Sequence, residues 1–431
     1  MKDQQESNPK IEDCSKNDLL TGRGLAMDYP REGPLSGLKI LDLTQFVSGP
    51  FCTQILSDLG ARVVKVERPE SGDPYRQAGP SFVDGQSTLF LSLNRGKESI
   101  TLNLKSGDGR EIFLKKLVPN FDVIVENFTP GTMESLGLGY DSCSKANPRI
   151  IYSNISGFGT KGPFKEKKGF DLILQAVTGI MDLTGERDSE PVKVGIPLTD
   201  FAAGLFSTVG ILSALYENKS SAKGSKISTS LYESSISLLS ILACDYLASG
   251  KVPHRMGSAS QTFAPYQAFK AKDAYIAVAG AGSEEMWQRF ARAIGMPHLT
   301  SDPRFSTNSD RVENQEALTE IIKGKLVEIN AEVWLRVFDS FGVPCGLVGT
   351  LPEVVESEQT KALGLISEIP LNASIDAKTY KAVRLPLSID ESPVDLSIHP
   401  PSLGEHRISV LSEVGVSEEE IESLRGRHVI S

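Results

Sequence analysis

The chain has 431 residues, 40% of them hydrophobic and 23% charged, which suits a globular protein and fits disordered, collagenous and membrane chains poorly. That length exceeds one ordinary domain, so two lobes or an elaborated α/β body are expected. The formal charge of -10 argues against a nucleic-acid partner, because a phosphate backbone needs a basic face, but a few Lys and Arg could still hold one anionic cofactor.

Residues 1–35 mix Lys, Asp and Glu without an apolar core or an Arg-rich, acid-poor pattern. They read as a disordered tail rather than a secretory signal or mitochondrial presequence, and a cytoplasmic location is expected. Regular structure is expected from Leu38, with a strand over Leu38–Leu43, a loop over Thr44–Gly49 and a helix opened by Pro50 and running to Leu59. Further strands fit Val63–Glu67, Ile100–Leu104, Val123–Val125 and Ile150–Ile155, with a helix over Gly109–Leu117 between two of them. Strand and helix in alternation predict a parallel sheet covered on both faces, with ligands at the carboxyl ends of the strands. Gln45, Arg68, Lys105, Asn127 and the run after Ser156 stand at those ends.

Two apolar stretches follow, Phe201–Tyr216 and Ile236–Leu247, with a polar turn over Asn218–Lys226. Both read as buried helices and not as membrane spans, the first being short and the second interrupted by Asp245. A strand over Ala274–Ala279, a helix capped by Ser283, and helices over Glu316–Ile329 and Glu332–Phe341 mark a second, smaller domain. The expected layout is a large domain over 36–225, a helical linker over 226–256, a small domain over 257–350 and a return to the large domain over 351–431, where a helix is expected near Glu405–Val414.

Few residue patterns carry chemistry by themselves. The five cysteines (Cys14, Cys52, Cys143, Cys244, Cys345) are scattered, which suits reduced thiols better than disulfides or zinc. The five histidines lack metal-ligand spacing, so no metal is expected. Gly157-Phe158-Gly159-Thr160-Lys161-Gly162 has the glycine spacing of a dinucleotide site, but Pro163 and the run Lys165–Lys168 point to a loop and not to the opening of a helix. With no serine elbow and no Cys-His signature, a carboxylate is the remaining candidate nucleophile. Asp200, between Gly195–Thr199 and the apolar run from Phe201, is one candidate, although helix capping is by itself the better explanation of an acid there.

The segments Leu41-Asp42-Leu43-Thr44, Ser48-Gly49-Pro50-Phe51, Asp58-Leu59-Gly60-Ala61 and Val64-Lys65-Val66-Glu67-Arg68-Pro69 resemble the opening of the class III, or CaiB/BaiF, CoA-transferases. Asn94-Arg95, Val125-Glu126-Asn127-Phe128, Asn147–Tyr152, Ser156–Gly159 and Leu403-Gly404-Glu405-His406 continue the likeness in order, so that it covers nearly everything after residue 36. The resemblance implies an α/β protein with a Rossmann-like large domain, a smaller α/β domain and an interlocked homodimer. It also implies that Asp200 is a nucleophile moving CoA between carboxylic acids through an aspartyl anhydride and an aspartyl-CoA thioester. Acyl-CoA and an acid are then the substrates, with no permanently bound cofactor and no membrane partner.

By position, the resemblance implies CoA contacts at Ser48, Arg68, Leu102 to Lys105, Asn127, Phe128, Thr129 and Lys168. Gln45 and Ser258 match substrate positions, and Arg95 would pair with the distal carboxylate of a dicarboxylic acid. Gly257-Ser258-Ala259-Ser260-Gln261, with one glycine where formate- and oxalate-acting members carry several, and Val47 in place of their Gln argue against oxalate and formate, while Gly257–Phe269, with Pro265-Tyr266-Gln267-Ala268-Phe269, resembles the glutarate/succinate branch. A racemase of the same fold would need a His where Gly169-Phe170-Asp171 has Phe. A non-catalytic acyl-CoA-binding protein is the other alternative.

Overall fold

The computed structural model describes residues 32–221, 223–374, 376–393 and 398–431, so nearly all of the expected tail lies outside the described residues. Six strands form one parallel sheet: β1 (Lys39–Asp42), β2 (Arg62–Glu67), β3 (Glu98–Thr101), β4 (Val123–Glu126), β5 (Ile151–Ser156) and β6 (Ser225–Ser230), ordered β3-β2-β1-β4-β5-β6. β2, β3, β4 and β5 are buried along their whole length, and their apolar residues, interrupted by polar ones, carry the strand signal. β6 alternates between half-buried and exposed positions, as an outer strand does.

The other edge, β3, is covered by the end of the chain. His406 N–H donates to the Ser99 carbonyl (2.9 Å), Gly404 N–H to Ser99 Oγ (3.0 Å) and Asn103 N–H to the Val429 carbonyl (2.8 Å). Leu403–His406 thus caps a sheet edge that would otherwise be open to pairing.

Helices α1 (Ser48–Asp58), α3 (Gly107–Ile112) and α5 (Leu198–Ser221) stand where helices were expected, with changed boundaries, whereas α2 (Thr88–Asn94) and α4 (Asp171–Val177) were not expected. α5 runs through much of the stretch expected to be a turn over Asn218–Lys226, and β6 occupies the rest and opens the expected linker. At 24 residues, α5 is long and apolar enough to cross a membrane by length and composition. It nevertheless docks on the sheet, with Ser207 Oγ 2.8 Å from Ser153 Oγ of β5, and Gly210 where a Cβ would meet Ile227 of β6 at 2.9 Å. α6 (Leu231–Leu238) and α7 (Ser240–Ser249) come next.

The chain divides into two units. One holds the described chain through Gly169, then Asp200–Glu233 and Leu365–Ser431; the other holds Phe170–Thr199 and Ser234–Gly364. The second therefore takes in Phe170–Thr199 and most of the expected linker, because these segments contact 257–364 more than they contact the sheet. It is built on an antiparallel sheet of β7 (Tyr266–Lys270), β8 (Tyr275–Ala279) and β9 (Cys345–Leu347), with β8 central. Packed with it are α8 (Glu284–Ala293), α9 (Gln315–Leu326) and α10 (Ala331–Ser340). Ser283 caps α8 as expected, its Oγ accepting from Met286 N–H at 3.1 Å. Trp287, Phe290, Phe338 and Trp334 stack in series with centroids 5.6–6.0 Å apart.

Candidate functional site

The strand order reverses between β1 and β4, and in doubly wound sheets such a reversal opens a crevice at the carboxyl ends of the two strands. Here a single side chain staples that crevice. Asn127 Oδ1 accepts from Gln45 N–H (2.9 Å) while Asn127 Nδ2 donates to the Gln45 carbonyl (2.7 Å), tying the turn after β1 to the turn after β4. The Asn127 amide thus holds loop backbone on both of its ends.

Beneath the turn lies a set of fully buried charges. Asp42, the last residue of β1, accepts from Thr44 N–H and Oγ1, from Thr53 Oγ1 (2.7 Å) and from Lys97 Nζ (3.0 Å). Burial alone would raise the Asp42 carboxyl; Lys65, Lys97 and the two threonine hydroxyls outweigh it and hold it down at about 2. Lys97 is completed by Thr53 Oγ1, Asn94 Oδ1 and the Pro50 carbonyl, and burial pushes it down to about 8. Lys65 Nζ donates to the Thr44 carbonyl (2.7 Å) and pairs with Asp73 at 3.0 Å. Asp73 also accepts from Phe46 N–H (3.3 Å) and Tyr75 N–H (3.0 Å). Phe46 itself has φ 65°, a left-handed conformation rare for an aromatic residue. The turn after β1 is thus fixed from below by paired charges, a feature whose sequence signal was a charged residue inside each of the apolar runs Leu41-Asp42-Leu43 and Val64-Lys65-Val66.

Asp200 lies within the first turn of α5, not ahead of the helix as expected, because the helix starts at Leu198. A carboxylate at that helix start comes from Asp171, whose Oδ1 accepts from Thr199 N–H (2.9 Å) and Thr199 Oγ1 (3.0 Å). One turn beyond Asp200, Gly204 approaches α1 so closely that a Cβ there would stand 2.7 Å from the Ser48 carbonyl oxygen. Phe201 meets Phe51 edge-on at 4.7 Å. Asp200 and Gly204, four residues apart, share a helix face, so the carboxylate belongs to the side of α5 turned toward the amino end of α1. Tyr75 feels the field of Asp200.

The remaining candidates separate. Arg68, Lys105 and Thr129 are exposed just beyond the ends of β2, β3 and β4, on the same edge of the sheet as Gln45. Ser48 is buried and opens α1. Phe128 is half-buried against the sheet's core, and its N–H donates to Glu126 Oε2 at 2.8 Å. Lys168 is exposed at the neck of the glycine loop, where a Cβ on Gly157 would lie 2.7 Å from Gly169 Cα. No helix opens at that loop, the next one being α4. Ser258 belongs to the second unit, where its Oγ accepts from Ala268 N–H at 3.0 Å.

Two expectations need correction. The Leu102 side chain is 1% exposed and lies in the core of the sheet, so it is not available to a ligand. Arg95 is also buried, its Nη2 paired with Asp58 at 2.5 Å and its Nη1 donating to the Ser92 carbonyl, so it is not poised for a distal carboxylate. Cys52, just inside α1, is buried; desolvation pushes its thiol up to about 11, the opposite of activation.

Glu126, beside the Asn127 staple, also accepts from Asn154 Nδ2 (2.5 Å), and burial pushes its carboxyl up to about 7. Such a raised carboxyl stabilises the fold fully below its ordinary value of 4.5, and that contribution is lost as pH rises through 7. Replacement by Gln is therefore expected to remove a pH-dependent stability difference on the order of 3 kcal/mol between pH 4.5 and 8. His406, which burial pulls down to about 4, slopes the opposite way, so the comparison is between variant and wild type in denaturant at each pH. Parallel curves for the two proteins would remove Glu126 as the source.

Comparison with known proteins agrees with this geometry. The family model described as CoA-transferase family III matches residues 35–407. A succinyl-CoA:glutarate CoA-transferase of Mus musculus is 37% identical over 92% of this chain and 91% of its own. An acetyl-CoA:oxalate CoA-transferase of Acetobacter aceti is 40% identical over 78% of this chain and 86% of its own, so the single glycine at Gly257 does not by itself separate this chain from a relative named for oxalate. The crystal structure of a CaiB/BaiF family protein from Brucella suis, 37% identical, superposes with a TM-score of 0.77 over 89% of this chain and all of its own. A six-stranded parallel sheet reversing at β1 and β4, its ordered motifs and these likenesses have one reading: the chain belongs to CoA-transferase family III.

Proposed function

We propose that this CoA-transferase moves CoA from an acyl-CoA, succinyl-CoA by preference, to a dicarboxylic acid, with Asp200 as the nucleophile. The observation that carries the proposal is the close contact of Gly204 with Ser48, which fixes the first turn of α5 against the amino end of α1 at the reversal of the sheet. The Asp200 carboxylate attacks the thioester carbonyl, the C–S bond breaks and CoA thiolate leaves a mixed anhydride. Thiolate then attacks the aspartyl carbonyl, the first acid departs, and an aspartyl-CoA thioester remains. The acceptor carboxylate attacks that thioester and expels thiolate, which takes up the acceptor's acyl group and frees Asp200. Each step exchanges one activated acyl bond for another, so neither a net proton transfer nor an external energy source is needed.

Arg68, Lys105 and Lys168 are the exposed cations we assign to the CoA phosphates, with Gln45, Ser48 and Asn127 to Thr129 lining the approach. The preference for a dicarboxylate is supported by relatives whose names specify glutarate, D-citramalate and mesaconate with succinyl-CoA. We further propose a homodimer of interlocked subunits, each with a Rossmann-like large domain and a smaller α/β domain. Leu205, Phe206, Val209 and Tyr216 of α5, and Ile241 and Leu247 of α7, are exposed apolar side chains that such an assembly would cover.

The test is a screen of succinyl-CoA against glutarate, mesaconate, malate, oxalate and monocarboxylic acids, following the new thioester by mass. Glutarate or another dicarboxylate is expected to lead the panel by at least tenfold in kcat/KM. A monocarboxylic acid in first place would overturn the assignment.

A further inference from the structure

Arg95, buried and paired with Asp58, does not serve the far end of a dicarboxylic acid bound at Asp200. The structure offers another group. The short turn Pro74–Arg76 is pinned at both ends: Asp73 receives Tyr75 N–H and pairs with buried Lys65, while Arg76 grips Glu67 through Nε and Nη2, both at 2.7 Å, and lies 3.8 Å over the Phe90 ring. The same Asp73 carboxylate holds Phe46 N–H, and the rings of Phe46 and Tyr75 meet edge-on with centroids 5.6 Å apart. One buried acid thus sets two aromatic side chains side by side.

Their place follows from chain geometry. Phe46 stands two residues ahead of α1, whose first turn receives α5 at Ser48 and Phe51. Asp200 is the neighbour of Phe201 and stands one turn ahead of Gly204, the two α5 residues that make those contacts. Phe46 is exposed and Tyr75 half-buried, and Tyr75 lies within reach of the Asp200 charge. Among the described residues no hydrogen bond engages the Tyr75 hydroxyl. Burial and the charges of Asp200 and Asp73 raise the phenol above its ordinary value, which keeps its proton in place as a donor.

We propose that Phe46 and Tyr75 form the acid-selecting wall beside Asp200, the Tyr75 hydroxyl donating to the distal carboxylate of the incoming acid and the Phe46 ring covering its methylene chain. This rests on Asp200 as the nucleophile. A neutral donor recognises a carboxylate without requiring it, so hydroxy-substituted acids fit the same wall; a buried guanidinium would demand a second charge. Asp73 is a positioning residue in this scheme, acting through the two backbone N–H groups that it holds.

The experiment is Tyr75→Phe, which keeps the ring and removes only the hydroxyl. With one acyl-CoA donor, kcat/KM is measured for glutarate and for valerate, an acid of equal chain length without the second carboxylate. The glutarate-to-valerate ratio is expected to fall by about tenfold or more in the variant, as befits a lost hydrogen bond to a charged group, with valerate itself little changed. An unchanged ratio overturns the proposal, and so does a wild type that uses valerate as readily as glutarate. Failure of the Asp200 reading shows separately, as the absence of a CoA adduct on the Asp200 peptide of wild-type protein incubated with donor. A fallen ratio without that adduct would leave the wall in place and remove the nucleophile it was argued from, overturning the proposal as stated.

Discussion

Asp200→Asn is expected to lower transfer by a factor on the order of 10³ or more while leaving acyl-CoA binding nearly unchanged. The substitution replaces the oxygen proposed as the nucleophile by an amide of the same size. The carboxylate that accepts from the helix start is that of Asp171, and the packing of α5 on α1 runs through Phe201 and Gly204. The fold should therefore survive, which separates this variant from one that fails by unfolding. In wild-type protein, incubation with donor should leave CoA joined to the Asp200 peptide as a thioester that hydroxylamine cleaves, and intact-mass spectra should show no such adduct on the variant. Turnover retained by Asp200→Asn would dismiss the nucleophile. Binding lost together with turnover would instead make Asp200 a structural residue.

The largest stability effect is expected at Lys97. Replacing it by Met leaves Asp42 with one cation fewer in a site sealed from water, and breaking a buried pair from one side costs about 3–5 kcal/mol. Lys97 also ties the Pro50 carbonyl of α1 to Asn94 at the end of α2, so the loss should extend to the turn that bears Phe46. An exposed pair supplies the contrast. Lys115→Met removes its partner contact with Glu111 on a solvated helix face and should cost no more than about 0.5 kcal/mol. Equilibrium denaturation of both variants checks the difference, and a Lys97→Met protein within 1 kcal/mol of wild type would show that the buried charges contribute little. That threshold is about the net worth of an average hydrogen bond.

What the sequence made legible follows from how each element is buried. Strands enclosed on both faces, such as Val63–Glu67 and Val123–Val125, announce themselves as apolar runs and lie within one residue of their observed ends. β6 does not, because Ser-Lys-Ile-Ser-Thr-Ser on an outer strand has the composition of a turn, and the last turn of α5 was hidden in the same polar stretch. The crevice was legible as strand ends, and Gln45, Arg68, Lys105 and Asn127 do stand there. Partnership across distance was not. Arg95 reads as an available guanidinium until Asp58, 37 residues upstream, is seen beside it. Leu102 reads as a ligand contact near a strand end until the core closes on it. Phe46 and Tyr75 carry no local signal at all, since what makes them notable is one carboxylate, Asp73, shared by two distant turns.

The contact between Gly204 and the Ser48 carbonyl has a consequence for how catalysis can move. The Ser48 carbonyl and the Phe51 ring together leave no room for a side chain at Gly204, so α5 has little freedom to slide or roll against α1. On the mechanism proposed above, Asp200 would carry an acyl group in one intermediate and the far bulkier CoA in the next, and would exchange that cargo by turning about its own side-chain bonds. Accommodation would then fall to the surrounding loops, with the helix as a fixed axle.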